Sequence, residues 1–157
     1  MSELDQEVEI REVIPSDTDF IYYSWLNSYK TTSYFAKRIR NYVFFFWHHK
    51  IVDRILNGST ARILVASPKN EPEVIIGYLV YEVLDPIKYK QDTDMEQKTK
   101  TIHYAFVKQD FRNHGMLKAL LHKAEIDIDQ AFFSHWTYDW NQIMEKHPQM
   151  IYDPYRI

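Results

Sequence analysis

Between residues 99 and 128 the hydrophobic period of this chain changes once, and that change limits the folds open to it. TKTIHYAFVK (99–108) reads as a strand, a polar turn follows, and NHGMLKALLHKAEIDI (113–128) reads as a helix with Met116, Leu117, Leu120, Leu121 and Ala124 inward. A strand that passes through a short turn into a helix calls for a layered domain, in which the helix lies back on a sheet. Gly115 stands at the junction, where a residue without Cβ takes unusual dihedrals and lets backbone approach a ligand.

The flanking segments extend this pattern. EVEIREV (7–13) alternates with period two as a half-buried strand, and Pro15 and Ser16-Asp17 then signal a helix start. From Asp19 onward, Phe20, Tyr23 and Leu26 recur at helical spacing. A second helix is expected from about Asn41 to Leu56, stopped by Asn57-Gly58. ARILVAS (61–67) and EVIIGYLVYEVL (73–84) are strands joined by the turn-rich SPKNEP, and residues 85–99 form a polar surface loop. AFFSHWT (131–137) is a further strand, a short helix near 139–147 ends at Pro148, and MIYDPYRI supplies a last strand broken at Pro154. The order is β-α-α-β-β-β-α-β-α-β, an α+β arrangement without internal repeats.

Composition narrows the chemistry. A chain of 157 residues with 45% apolar content builds one hydrophobic core by default, so a single domain spanning 1–157 is expected. There is no Cys, which excludes disulfides, thiolate catalysis and Cys-ligated zinc and suits a reducing cytoplasm. The acidic start MSELDQEVEI does not read as a targeting segment, and no apolar run approaches the roughly 20 residues of a membrane span. A soluble, cytoplasmic protein with no membrane partner is the expectation. Charge is unevenly spread: residues 1–20 hold seven acids against Arg11, whereas residues 30–54 hold six bases against Asp53, a local +5.

The central stretch FVKQDFRNHGMLKALLHKA resembles the acyl-CoA-binding motif of the GNAT superfamily of N-acyltransferases, V-x-P-x-Y-R-G-x-G-[IV]-[GA]-x-x-L-[LM]. Val107, Phe111, Arg112, Gly115, Met116, Ala119, Leu120 and Leu121 fill matching positions. The resemblance implies the GNAT fold: a mixed, mostly antiparallel sheet of six to seven strands, about four flanking helices, and fourth and fifth strands splayed to admit a ligand. It also implies acetyl-CoA or another acyl-CoA as co-substrate. Phe106 and Val107 would offer backbone groups to the pantetheine arm, and Arg112, Asn113 and His114 would supply donors beside the pyrophosphate. Gly115, Met116, Leu117 and Lys118 would complete its cradle at a helix N-terminus. Among the departures from the pattern, Asn113 stands where the family has Gly, and Leu117 where it has Gly or Ala. The Tyr that many members carry in the helix after the fifth strand is also missing, because Met144-Glu145-Lys146 occupies that register.

Transfer of an acyl group to an amine needs a base, an oxyanion contact and an acid for the leaving sulfur. His103, on the strand that would flank the thioester, is the first candidate base, and His135 in SHWT would face it across the splay. The other reading of each is a histidine satisfied by its surroundings, in the core or at the surface. Tyr152, with Tyr155, is the candidate to replace the missing acid or else closes the core. No spacing resembles a metal-ligand set. The first two helices would wall the acceptor site, making Lys37, Arg38, Arg40 and His48 its candidate residues, with interleaved rings from Tyr29 to Trp47. Bases beside rings suit a nucleic acid or another anionic, ring-bearing amine; the other reading is a solvated helix face over core rings. HYAFVK, SHWT and YDPY are also similar to small phage and prophage proteins of GNAT type, which would place the protein in a bacterial host cytoplasm and make a nucleic-acid base the acceptor. A GNAT-shaped interaction module without activity is the third alternative. A monomer or homodimer is expected.

Overall fold

The computed structural model describes residues 7–84 and 99–157, so the expected loop 85–99 lies almost wholly outside the described residues. Six strands form one sheet in sequence order: β1 (Val8–Glu12), β2 (Ala61–Pro68), β3 (Gly77–Leu84), β4 (Thr99–Val107), β5 (Phe132–Phe133) and β6 (Ile151–Tyr152). The first four pair antiparallel, whereas β5 runs parallel to β4 and β6 parallel to β5. Helices α1 (Thr18–Thr32) and α2 (Asn41–Leu56) cover one face, and α3 (Met116–Lys123) and α4 (Tyr138–Lys146) belong to the other.

Both faces of the sheet are buried, so alternate strand residues feed two cores. Leu64, Leu79, Tyr81 and Ile102 join Leu120, Phe133 and Trp140 on the α3–α4 side. Val65, Tyr78, Val80 and Tyr104 join Trp25, Phe44 and Val52 on the α1–α2 side. Ile102 and Tyr104 are two apart and would share a face in a regular strand. They do not, because β4 bulges: Tyr81 pairs with Ile102 and Val80 with Tyr104, leaving His103 as the extra residue.

Local chemistry explains where the helices begin and end. Asp17 accepts the Ile14 N–H (2.9 Å) and both ends of the Arg11 guanidinium (2.7 and 3.0 Å) just before α1. Two α1 hydroxyls then tie that helix to the sheet, Ser24 to the Tyr78 phenol at 2.9 Å and Ser28 to that of Tyr104 at 2.6 Å. The α2 helix has the expected bounds and stops at Asn57-Gly58.

Four expected elements are markedly shorter than their sequence patterns, among them the closing strand read over 150–157, which keeps only Ile151–Tyr152. The helix read over 113–128 keeps only Met116–Lys123, because Asn113 (φ 63°) and Gly115 (φ 78°) form a left-handed turn before it and Glu125 (φ 55°) ends it. The strand read over 73–84 starts at Gly77, after a turn closed by Val74 N–H on Glu71 O. The strand read over 131–137 shrinks to Phe132–Phe133. Its last ladder bond, Ser134 N–H to Ile102 O, is followed by departure from β4, which is the expected splay. Gly77 is required by close approach, since a Cβ there would lie 2.7 Å from the Phe106 carbonyl oxygen.

Candidate active site

The departure of β5 opens a cleft of about 770 Å³ beside β4, within the range of small-molecule sites. Lys108 N–H bonds the Ile76 carbonyl, and antiparallel pairs alternate from there, so Phe106 and Tyr104 spend their backbone groups on β3. Ala105 and Val107 therefore turn theirs toward the cleft. The backbone contact expected from Phe106 and Val107 shifts accordingly: Phe106 lines the cleft, but its backbone belongs to the sheet. The Val107 carbonyl is also occupied, because Arg112 Nε donates to it at 2.9 Å.

At the outer end Arg112, Asn113, Gly115, Met116, Leu117 and Lys118 all line the cleft, as the sequence pattern expected. His114 does not; its ring bonds the Arg112 carbonyl at 2.7 Å on the exposed side of the turn. The start of α3 carries no side-chain cap, so its first N–H groups stay available for an anion. A Cβ on Gly115 would meet nothing within 4 Å, so it is the backbone angle, not crowding, that favours glycine there. Leu117 packs partly against the core beneath α3 while also lining the cleft. Arg112, Lys118 and Lys146 place three cations among the lining residues against the single acid Asp139, a balance suited to a polyanion.

At the inner end Ser28, Thr32, Tyr104 and Thr137 line the cleft. Behind Tyr104 lies a chain of polar side chains. His103 Nδ1 is 2.8 Å from Ser134 Oγ, which is 2.9 Å from His135 Nδ1, and His135 Nε2 is 3.0 Å from His48 Nε2. The far nitrogen of His103 faces Glu82 Oε2 at 3.4 Å, a charge contact rather than a short hydrogen bond. His103 and His135 are buried, and His48 is half-buried. Trp25, Tyr29 and Tyr104 surround the His135 ring, and Tyr29 stacks on His48 at 4.9 Å.

Electrostatics follow from this burial. Loss of hydration pushes His48 down to about 4 and His135 well below the ordinary imidazole range, so both are neutral near pH 7. The His103 contact, helped by Thr60 and Arg54, holds the Glu82 carboxyl below its usual value despite burial. Burial raises the Tyr104 phenol to about 12.

Three sequence-chosen residues, His103, His135 and His48, are thus brought together, although His48 had been assigned to the acceptor wall. Tyr152 is not among the cleft-lining residues: its ring packs against Phe133 and Trp136, and Tyr155 is 90% exposed. Lys37, Arg38 and Arg40 are exposed, Lys37 over the Tyr138 ring and Arg38 over Tyr34. Lys30 does not contribute free charge to the +5 segment, because it is buried and donates to the carbonyls of Ala36 and Ile39. Ser134 and Glu82 were missed. Ser134 had a signal, its place beside His135, whereas Glu82 reads as an ordinary polar position in a strand.

No family model matches the chain, and no curated protein sequence does. Among solved structures it is similar to a protein from Pyrococcus furiosus assigned as an acetyl transferase, with 18% identity and TM-score 0.61 over 94% of this chain and 82% of that one. A possible acetyltransferase from Clostridium difficile 630 gives 16% identity and TM-score 0.59 over 96% and 95%. An aminoglycoside 6'-N-acetyltransferase from Acinetobacter baumannii gives 18% and 0.52 over 90% and 87%. The fold is the GNAT fold. In this chain the open side of β4 and the turn before α3 face one cleft. Among the described residues no group of three or more His, Cys, Asp or Glu is set to hold a metal, and no helix is long and apolar enough to cross a membrane.

Proposed function

We propose that the protein is an acyl-CoA-dependent N-acyltransferase, moving an acetyl or related acyl group to an amine by direct attack. One observation carries this reading. The backbone N–H groups of Ala105 and Val107 face a cleft whose outer rim is a left-handed turn and an uncapped helix start, with Arg112, Lys118 and Lys146 among its lining residues. An extended, amide-bearing arm that ends in phosphates matches this order of groups: the arm pairs with β4 as an added strand, and the phosphates meet Arg112 to Lys118.

The chain's own residues then have separable tasks. Arg112, Lys118 and the N–H groups opening α3 hold negative charge, and Ala105 and Val107 fix the arm along β4. The amine loses a proton as its nitrogen bonds the carbonyl carbon, and the carbon–sulfur bond breaks with the electron pair going to sulfur. His48 and His135 are neutral imidazoles, the protonation state that accepts such a proton, and they border the cleft only through Tyr104, which lines it and packs on the His135 ring. With no Cys in the chain, the acyl group passes to the amine without a thioester to the protein.

Calorimetry with acetyl-CoA tests this directly. Micromolar binding is expected, weakened at least about 100-fold by Gly115→Trp, which fills the approach to the helix start and strains a φ of 78°. Circular dichroism would confirm that the variant is folded. Absence of binding at millimolar acetyl-CoA would leave a GNAT-shaped interaction module instead.

A second reading concerns the acceptor. Tyr42 (70%), Phe46 (56%) and Trp47 (60%) are exposed on α2, and Lys50 lies over the Phe46 and Trp47 rings. Exposed rings beside bases favour an anionic, ring-bearing amine such as a nucleic-acid base, the acceptor that a phage-type role would require. Binding of single-stranded DNA that falls steeply with salt and is lost on charge reversal at Lys37, Arg38 and Arg40 supports it. Salt-insensitive or absent binding removes it.

A further inference from the structure

Two helices contribute to the inner end of the cleft: α1 with Ser28 and Thr32, one turn apart, and the start of α4 with Thr137 and Asp139. Tyr104 of β4 meets both groups. Its phenol contacts Ser28 Oγ at 2.6 Å, Thr32 lies beside it, and the Asp139 carboxylate is near enough to oppose its ionisation.

Short contacts assign the hydroxyl hydrogens. Ser28 Oγ is 2.6 Å from the Ser24 carbonyl oxygen, and Thr32 Oγ1 is 2.6 Å from the Ser28 carbonyl oxygen. A carbonyl oxygen cannot donate, so each hydroxyl spends its one hydrogen on its own helix. The contact between Ser28 and Tyr104 therefore uses the phenol hydrogen, which burial keeps on the oxygen by raising the phenol to about 12. With these hydrogens spent, the Tyr104 and Thr32 oxygens keep lone pairs that no donor among the described residues fills.

On the α4 side, Thr137 is only 7% exposed, yet its hydroxyl neither caps the helix nor finds a hydrogen-bond partner among the described residues. A hydroxyl so enclosed is left for a ligand or water in the cleft to answer. Asp139 is the single acid among the lining residues, and Lys146 on the same helix face lies two turns away, about 10.5 Å. The cleft is therefore acidic and rich in acceptors where α4 begins, and basic toward the end of that helix.

The surplus defines the ligand. The cluster offers lone pairs and one negative charge, but only one free hydroxyl hydrogen, on Thr137. An alkyl ammonium brings three N–H donors, a positive charge and no acceptor. A nucleobase amine brings two donors and no charge, beside ring acceptors that need donors of their own. We propose that the inner end is an ammonium site, in which Asp139, Tyr104, Thr32 and Thr137 hold the head group of a primary alkyl amine, and that this class of amine is the acyl acceptor. The acceptor role rests on the acyl-transfer reading above; the ammonium site does not. Recognition is of the protonated form in which alkyl amines exist near neutral pH, and the proton is shed in the transfer step.

The test titrates the ¹⁵N-labelled full chain with n-butylammonium, with 1-butanol, which lacks the charge, and with butyltrimethylammonium, which lacks the N–H donors. Saturable amide shifts at Thr32, Thr137 and Asp139 are expected with n-butylammonium, at an affinity at least about tenfold above the other two. Asp139→Asn keeps the size of an exposed side chain and should weaken n-butylammonium at least about tenfold, whereas Thr137→Val and Tyr104→Phe should each cost about threefold. Unliganded spectra that match the parent outside α4 place the loss at the site and not in the fold.

Equal affinity for 1-butanol or butyltrimethylammonium would overturn the ammonium site, and so would an Asp139→Asn chain that binds n-butylammonium unchanged. No saturable shift up to about 100 mM n-butylammonium would do the same. Tighter binding of cytidine than of n-butylammonium at the same residues would give the inner end to a base amine instead. Calorimetry with acetyl-CoA on the parent chain separates the two levels. Selective ammonium binding without acetyl-CoA binding overturns the acyl-transfer reading and leaves the site, whereas acetyl-CoA binding without ammonium selectivity overturns the site and leaves that reading.

Discussion

The outer end of the cleft is built from backbone, and the buried chain behind Tyr104 at its inner end is built from side chains. Outside, Ala105, Val107 and the first turn of α3 contribute N–H groups whose placement depends on one bulge, one splay and two left-handed residues. Behind the inner end, a ring stack and five hydrogen-bonding or charged side chains from four segments must all be present together. Backbone sites tolerate changes of side chain as long as the turn survives. A hydrogen-bonded chain of side chains fails at any link. The two ends should therefore separate under mutation, the outer affecting binding and the inner affecting turnover.

The largest effect that would sharpen this contrast is at the centre of that side-chain network. His135→Phe keeps a ring beside Trp25 and Tyr29 but cuts the chain between Ser134 and His48. We expect kcat to fall about 100-fold, as for loss of a general base, while calorimetric affinity for acetyl-CoA stays within about twofold. Equal losses in both would show that the two ends are not separable.

That contrast also explains what was legible in the sequence. The outer end is local in the chain: Arg112 to Lys118 is one contiguous stretch whose glycine, cation and helical period survive reading from sequence alone. Asn113 takes the left-handed angle that a family glycine would have provided. Its backbone partners were misplaced by one residue, from Ala105 to Phe106, because the bulge at His103 shifts the face of everything after it. No composition signal marks a bulge in TIHYAFV. The buried chain behind the inner end is assembled from residues 48, 82, 103, 134 and 135. His103 and His135 could be chosen by residue type, but Glu82 and Ser134 acquire meaning only once β5 leaves β4 and turns Ser134 between two rings. Tyr152 had the right chemistry, yet packing against Phe133 and Trp136 keeps it from lining the cleft.

A second, smaller effect separates the ends by pH. Burial holds folded His48 near 4 and His135 well below the ordinary range, against about 6.5 for an unfolded imidazole. Between pH 6.5 and 4 the unfolded chain binds protons that the folded chain does not, so stability rises with pH across this window and is lost on acidification through it. Each pH unit of a fully buried histidine is worth about 1.4 kcal/mol. Partial exposure of His48 brings its share over the window to about 2 kcal/mol. Urea melts at pH 7 and 4.5 measure this, and His48→Phe should flatten the difference. An unchanged slope in that variant would place the acid sensitivity elsewhere, with buried His135 as the next suspect, because the Arg11–Asp17 pair acts only below this window. Burial opposes ionisation of Asp17, but its bonds to Arg11 and Ile14 leave the carboxyl below its usual value, and that contribution is lost only on further acidification through its folded pKa.

The smallest of these effects tests the outer end on its own terms. Arg112 both lines the cleft and donates Nε to the Val107 carbonyl, so it anchors the end of β4 while keeping its terminal nitrogens for an anion. Lysine keeps the charge but loses the planar fork, and one ammonium cannot reproduce both roles. Arg112→Lys should weaken acetyl-CoA binding about tenfold, near 1.4 kcal/mol, and should weaken dephospho or truncated analogues that lack the phosphates far less. The pH dependence of turnover should not move, because no member of the Glu82-to-His48 chain touches Arg112. If it does move, β4 transmits strain from Val107 back to the bulge at His103, and the backbone end and the side-chain end form one mechanical unit rather than two.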